Sequence, residues 1–180
     1  GLNLDGAVDD NDYQSPDGER DGIDNQMNRV LGCIAHYRTG GIIYHFENKF
    51  AQQYNDNRWV IEITEVDDLE NDDEVIVSIY RGMDDLLTDA GGEAFIAGAT
   101  QRVDTRWGKD YIEHTTGKIV DGVLTTEPID TIQIPWSSTC DTSGFQVFPG
   151  LRMQLNLSAD SAEGLLGAYA DVDAFNHQLN

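Results

Sequence analysis

Basic residues are scarce in this chain: Lys and Arg together number 11 against 33 Asp and Glu, for a formal charge of -22 over 180 residues. Such a balance repels phosphate backbones and anionic lipid, which excludes nucleic acid and acidic membrane surfaces as partners. Cysteine is nearly absent too. Cys33 and Cys140 are the only two, and neither sits in a C-x-x-C or Cys/His spacing, so zinc and thiol-redox chemistry are excluded. They leave room for one disulfide, Cys33 to Cys140. Closing that loop would stabilise the fold by up to ~4.7 kcal/mol in the chain-entropy picture. Two unpaired buried thiols are the alternative. No apolar run approaches the ~20 residues of a membrane-spanning helix, so membrane insertion is not expected. Also missing are G-x-S-x-G, the phosphate-binding loop, the dinucleotide fingerprint and H-E-x-x-H.

What is present suits a packed domain. Apolar residues make up 39% of the chain and sixteen positions are aromatic, counting 3 Trp, 7 Tyr and 6 Phe. That content argues against an acidic disordered tail. Residues 1–22 read as an Asp-rich loop segment, and 23–180 as a single domain. Ile23, Met27, Val30, Leu31 and Ile34 follow a helical period and predict a helix ending near Gly40-Gly41. Ile43, Phe46, Phe50 and Tyr54 predict a second. After Asn57 the period becomes two. Trp59–Thr64 and Val75–Tyr80 flank a charged turn and predict a hairpin. Further strands are expected over Ala94–Ala97, Tyr111–His114, Lys118–Val120, Thr131–Ile134, Phe145–Phe148, Leu151–Leu157 and Gly164–Tyr169. Turns are expected at Gly91-Gly92, Thr116-Gly117, Asp121-Gly122, Pro149-Gly150 and Ala159-Asp160. The expected class is mainly β: an antiparallel, jelly-roll-like β-sandwich with one or two N-terminal helices.

The N-terminus carries the chemistry. From Asp17, the run DGERDGIDNQMN places Asp17, Glu19, Asp21, Gly22, Asn25 and Asn28 at loop positions 1, 3, 5, 6, 9 and 12. From Gly1, GLNLDGAVDDND places Asn3, Asp5, Gly6, Asp9 and Asp12 at positions 3, 5, 6, 9 and 12. Alternating oxygens around a Gly-permitted sharp turn suit a hard cation. The second loop resembles EF-hand and thrombospondin type 3 loops, and Asp21-Gly22-Ile23-Asp24-Asn25 resembles the D-G-x-D-N motif of metal-binding secreted bacterial proteins. The resemblance implies one or two calcium ions. Asn3, Asp5, Asp9, Asp12, Asp17, Glu19, Asp21, Asp24 and Asn25 would supply side-chain oxygens, and Ile23 its carbonyl. Asp171 and Asp173 are candidate ligands borrowed from the C-terminus. Asn28 at position 12, Asp24 at position 8 and Gly1 at position 1 depart from a calcium sensor, so the expected ion is structural. Its setting is extracellular or periplasmic.

Catalytic signals are weaker. Glu62-Ile63-Thr64-Glu65 resembles part of the paired-Glu strand of laminarinase-like glycosidases, with Thr64 where that motif has its central Asp. Trp107, Tyr111 and Trp136 are candidate sugar contacts, with Phe145 nearby in sequence. The expected role is non-catalytic: a secreted, calcium-stabilised structural or accessory subunit that binds a protein partner or itself. A carbohydrate-binding module and a small glycoside hydrolase are the alternatives.

Overall fold

The computed structural model of the chain describes residues 1–26, 29, 32–43, 45, 59–85, 87–91, 96–106, 112–137 and 143–173, with the side chains of 134–137 and 143–146 excepted. Among the described residues seven strands form one antiparallel sheet: β1 (Trp59–Thr64), β2 (Asn71–Arg81), β3 (Glu113–Val120), β4 (Val123–Thr126), β5 (Ile129–Ser137), β6 (Ser143–Leu157) and β7 (Ala162–Gly167). The order is β1-β2-β3-β4-β6-β5, with β7 also on β6. The mainly β, antiparallel expectation holds. A second sheet packed as a sandwich or jelly roll is not seen among the described residues.

The alternation that predicts the first hairpin also sets its register. Ile61 pairs with Ile79 and Ile63 with Val77, so the apolar set of both strands shares one face. That face continues through Ile119, Leu124, Ile129, Ile132, Leu151 and Met153 into one buried cluster. Val75, Val77, Leu124 and Met153 are fully buried within it. The β3–β4 hairpin turns at Asp121 and Gly122, whose φ values of 50° and 76° are the left-handed pair that a two-residue turn requires.

Two expected turns are strand interior instead. Gly117 pairs with Val75 on one side and Thr126 on the other. A Cβ there would come within 2.9 Å of the Leu124 side chain and 3.0 Å of the Thr125 carbonyl, so this glycine serves close strand packing. Pro149-Gly150 lies inside β6. The first part of β6, through Leu151, pairs with β5, and Arg152–Leu157 pairs with β7. Gly150, at φ 68°, stands where the strand changes partners.

The predicted N-terminal helices are not seen among the described residues. Ile23 bridges Tyr13, Ile34 is extended, and a short 3-10 turn covers Ala35–Tyr37. Gln26, Arg29, Ile42, Ile43 and His45 have helical backbone, with most residues between and after them outside the described set. The competing influence at Ile23 is tertiary: its side chain is buried and its backbone is committed to Tyr13. Of the strand expected over Ala94–Ala97, the described residues Ile96 and Ala97 are not strand. No helix among the described residues is long and apolar enough to cross a membrane.

Candidate functional site

The N-terminal segment is a self-braced double loop lying on the sheet. Asp5, Asp9 and Asp17 each accept the backbone N–H two residues on, from Ala7 at 2.8 Å, Asn11 at 2.8 Å and Glu19 at 3.1 Å. These are Asx turns, the local device by which a short carboxylate replaces a backbone acceptor. Asp12 accepts the Asp9 N–H at 2.7 Å, and the Asn3 carboxamide accepts from Gly6 while donating to Ala7. Gly6 and Gly22, the position-6 glycines of the two loops, take φ values of 78° and 71°. A side chain at Gly22 would collide with Asn3 and the Ala7 carbonyl, so the loops pack on each other there.

Apolar and polar contacts then seat the double loop. Leu4 and Ile23 are both buried to 7% exposure. Leu2 and Leu4 crowd Gly167 at the end of β7. Asp24 accepts the Leu4 N–H at 2.7 Å, and its own N–H reaches the Leu2 carbonyl at 3.0 Å. Arg20 donates to Gln154 on β6 at 3.1 Å. Tyr13 and Ile23 exchange both backbone hydrogen bonds at 3.0 Å, and the Arg29 guanidinium lies 4.9 Å above the Tyr13 ring.

Of the expected metal ligands, Asn3, Asp5, Asp9, Asp12, Asp17 and Asp24 are therefore brought into one segment as hydrogen-bond partners of its own backbone. Among the described residues, no three His, Cys, Asp or Glu side chains gather as a metal would require. The Ser15 hydroxyl and the Glu19 amide hold the Asp17 carboxyl below its ordinary range. Ile23 spends its carbonyl on Tyr13, and the side chains of Glu19, Asp21 and Asn25 are exposed. This placement does not fit a closed calcium cage. Among the described residues, Tyr169 lies within electrostatic reach of Asp24 and Asp5, and its hydroxyl is raised by partial burial and then by those two carboxylates. Asp171 and Asp173 are exposed.

A second site escaped the sequence reading. Between β2 and β3 the chain leaves at Arg81 and returns at Asp104, and the neck of this excursion is pinned by ions. Gly82 bridges Val103, and Asp84 takes the Arg102 guanidinium at 2.8 Å through Nε. Asp104 has 1% of its surface exposed. Arg106 grips it through Nε at 2.9 Å and a terminal nitrogen at 2.8 Å, and the buried Arg81 lies 3.7 Å away. The Arg106 hydrogen bonds, opposed by burial, hold the Asp104 carboxyl down to about 2. The local signal in sequence is Asp-Thr-Arg at 104–106, which offers the Asp104–Arg106 pair but says nothing of Arg81.

The remaining candidates scatter. Glu62 accepts the Tyr80 hydroxyl at 2.9 Å on the face of β1 and β2 opposite the apolar cluster, beside a hydrogen bond of 2.8 Å between the buried Ser78 and His114. Glu65 follows β1 in a left-handed conformation. Asp72 in the acidic turn accepts the Asp67 N–H at 2.7 Å and the Glu74 N–H at 3.1 Å, which lower its carboxyl. Cys33 is an exposed free thiol, and Cys140 lies outside the described residues. So do Trp107 and Tyr111, together with the side chain of Trp136 on β5. The chain matches no protein-family model, no curated protein and no solved structure.

Proposed function

We propose that this chain is a non-catalytic extracellular domain, a structural or accessory subunit that joins an assembly through β7. The observation that carries the reading is the exposure of that strand. Among the described residues β7 pairs with β6 alone. Residues 162–166 are exposed, and Leu165 and Leu166 are 42% and 50% accessible. Adjacent residues of a strand point to opposite faces, so apolar surface is presented on both sides of an unpaired edge. Natural sheets blunt such edges with charge, proline or a covering segment. Here Glu163 is the one charged residue of the strand. The fitting occupant is an extended segment of a basic partner subunit, added as a further strand, with main-chain bonds giving affinity. The acidic surface supports the choice of sign.

The extracellular setting rests on the spacing of the Asp-rich loops and on the charge of -22. Calcium stays in the reading on that spacing alone, and no step of the association runs through it. Carbohydrate binding and glycoside hydrolysis lack a gathered set of described residues to argue from. The test is association of the purified chain in its native context. Leu166→Lys should abolish co-elution with the basic partner while leaving the melting temperature within about 2 °C, as a surface change does. A wild-type chain that stays monomeric and partnerless, or an assembly indifferent to Leu166→Lys, overturns the proposal.

A further inference from the structure

The chain has four Asp-Gly pairs: Asp5-Gly6, Asp17-Gly18, Asp21-Gly22 and Asp121-Gly122. In such a pair the glycine nitrogen can attack the aspartate side-chain carbon and close a five-membered imide, because glycine puts no side chain in the way. The attack is easiest where neither group is committed elsewhere. Three of the pairs spend one group or both. The Gly6 N–H is held by the Asn3 side chain, and the Asp5 carboxylate accepts from Ala7. The Gly18 N–H is held by the Ser15 carbonyl at 2.9 Å, and the Asp17 carboxylate accepts from Ser15 and Glu19. The Gly122 N–H is held by the Glu70 carbonyl at 2.9 Å. Asp21-Gly22 differs. Among the described residues neither the Asp21 carboxylate nor the Gly22 N–H has a hydrogen-bond partner, and Asp21 is exposed.

We infer that Asp21-Gly22 is a modification site, the place where the folded chain turns an aspartate into isoaspartate without an enzyme. The Gly22 nitrogen bonds to Cγ of Asp21. One carboxyl oxygen leaves as water, with the acid proton and the Gly22 amide proton. Water then adds to either carbonyl of the imide. Breaking the new C–N bond restores aspartate. Breaking the original one leaves the main chain running through Cγ, with a carboxylate on Cα. Mass is unchanged, the main chain is longer by one methylene, and water is the only co-reactant. The position gives this a consequence. Gly22 is buried, with Asn3 and the Ala7 carbonyl filling the space beside it. Ile23 follows, pairing with Tyr13 through both backbone bonds and burying its side chain. Asp24 then holds the Leu4 N–H and the Leu2 carbonyl. A methylene added ahead of these contacts shifts all of them at once. The seam between the double loop and the sheet therefore loosens with age as its own unit, while the sheet stays folded.

The experiment ages the full chain for several weeks at neutral pH and physiological temperature, once folded and once in guanidinium chloride. Isoaspartate at each pair is counted by peptide mapping with an endoproteinase that cleaves before aspartate and not before isoaspartate. All four aspartates precede glycine, so in denaturant, with the hydrogen bonds gone, they should isomerise at similar rates. In the folded chain Asp21 should convert several-fold faster than Asp5, Asp17 or Asp121. Amide exchange of residues 1–25 should quicken in the aged parent. It should not quicken in aged Asp21→Glu, which keeps the charge but closes a larger, slower ring. Asp21 is exposed, so this variant should fold as the parent does. Isoaspartate appearing first at another pair of the folded chain overturns the inference. So does its absence at Asp21 when the denatured chain forms it there, or a loop that loosens in Asp21→Glu at the parent's rate. None of these outcomes bears on β7, whose association is read separately.

Discussion

The N-terminal double loop and the neck of the β2–β3 excursion use the same local device against different backgrounds. In both, an aspartate accepts the N–H two residues on: Asp5 and Asp17 in the loop, Asp104 at the neck. Behind Asp17 there is solvent. Behind Asp104 there is a buried guanidinium, and a second one clasps it from outside. The difference teaches that the Asx turn is cheap and interchangeable while its environment is not. A water-backed carboxylate is one acceptor among many. A buried one is the counter-charge on which another buried ion depends.

The largest effect should come from breaking that dependence. Asp104→Ala removes the carboxylate that faces the buried Arg81, 6% exposed, and loss of about 3 kcal/mol is expected from breaking a buried ion pair. Urea unfolding followed by tryptophan fluorescence measures it, and a loss below about 1 kcal/mol would erase the contrast with the double loop. Titration offers the same test without mutation. The folded carboxyl is depressed, from the ordinary 3.8 to about 2, so its contribution is present in full above the unfolded value. It disappears as pH falls from 3.8 through about 2. The acid unfolding midpoint of Asp104→Ala should therefore lose the steep dependence that the parent shows in that window.

A smaller effect is expected where the double loop is seated. Leu4→Ala removes a buried side chain that packs at Gly167, at a cost of about 2 kcal/mol. The readout that sharpens the comparison is local. Proteolysis within residues 1–25 should accelerate well before the sheet unfolds, because the seam opens as its own unit. Loss of both signals at one midpoint would mean that loop and sheet are a single cooperative body.

These contrasts bear on what could be read from sequence. Period-two alternation located β1 and β2 because one face of each strand must be apolar, and the left-handed Asp121-Gly122 pair was legible as a turn for the same local reason. Gly117 and Gly150 misled because glycine signals both a turn and a close approach, and only the partner strand decides. Ile23, the first residue of the helical stripe, is not helical because pairing with Tyr13 commits its backbone, while Met27, Val30 and Leu31 of that stripe lie outside the described residues. Loop spacing correctly marked Gly6 and Gly22 as sharp turns, but not where the carboxylates would point. Asp104 was illegible because its partner Arg81 lies 23 positions away by sequence number, and charge pairing at that separation follows from the sheet alone.

The smallest effect should be at Asp17, and it separates turn from ion. Its carboxyl is lowered by the Ser15 hydroxyl and the Glu19 amide, both of which a carboxamide oxygen also satisfies. In metal-free solution Asp17→Asn should therefore leave the melt almost unmoved, since the turn survives and the lost charge faces water. Calcium changes the comparison. An ion drawn into the Asp17–Asn25 stretch would need the negative charge, not merely an acceptor, and would pull Glu19 and Asp21 inward from solvent. Millimolar calcium should then raise the melting temperature of the parent chain and not of Asp17→Asn. Identical parent melts in calcium and in excess chelator would remove calcium from the reading. The double loop would remain a fastener built of Asx turns, Leu4 and Ile23, with its acidic face serving the charge of the surface alone.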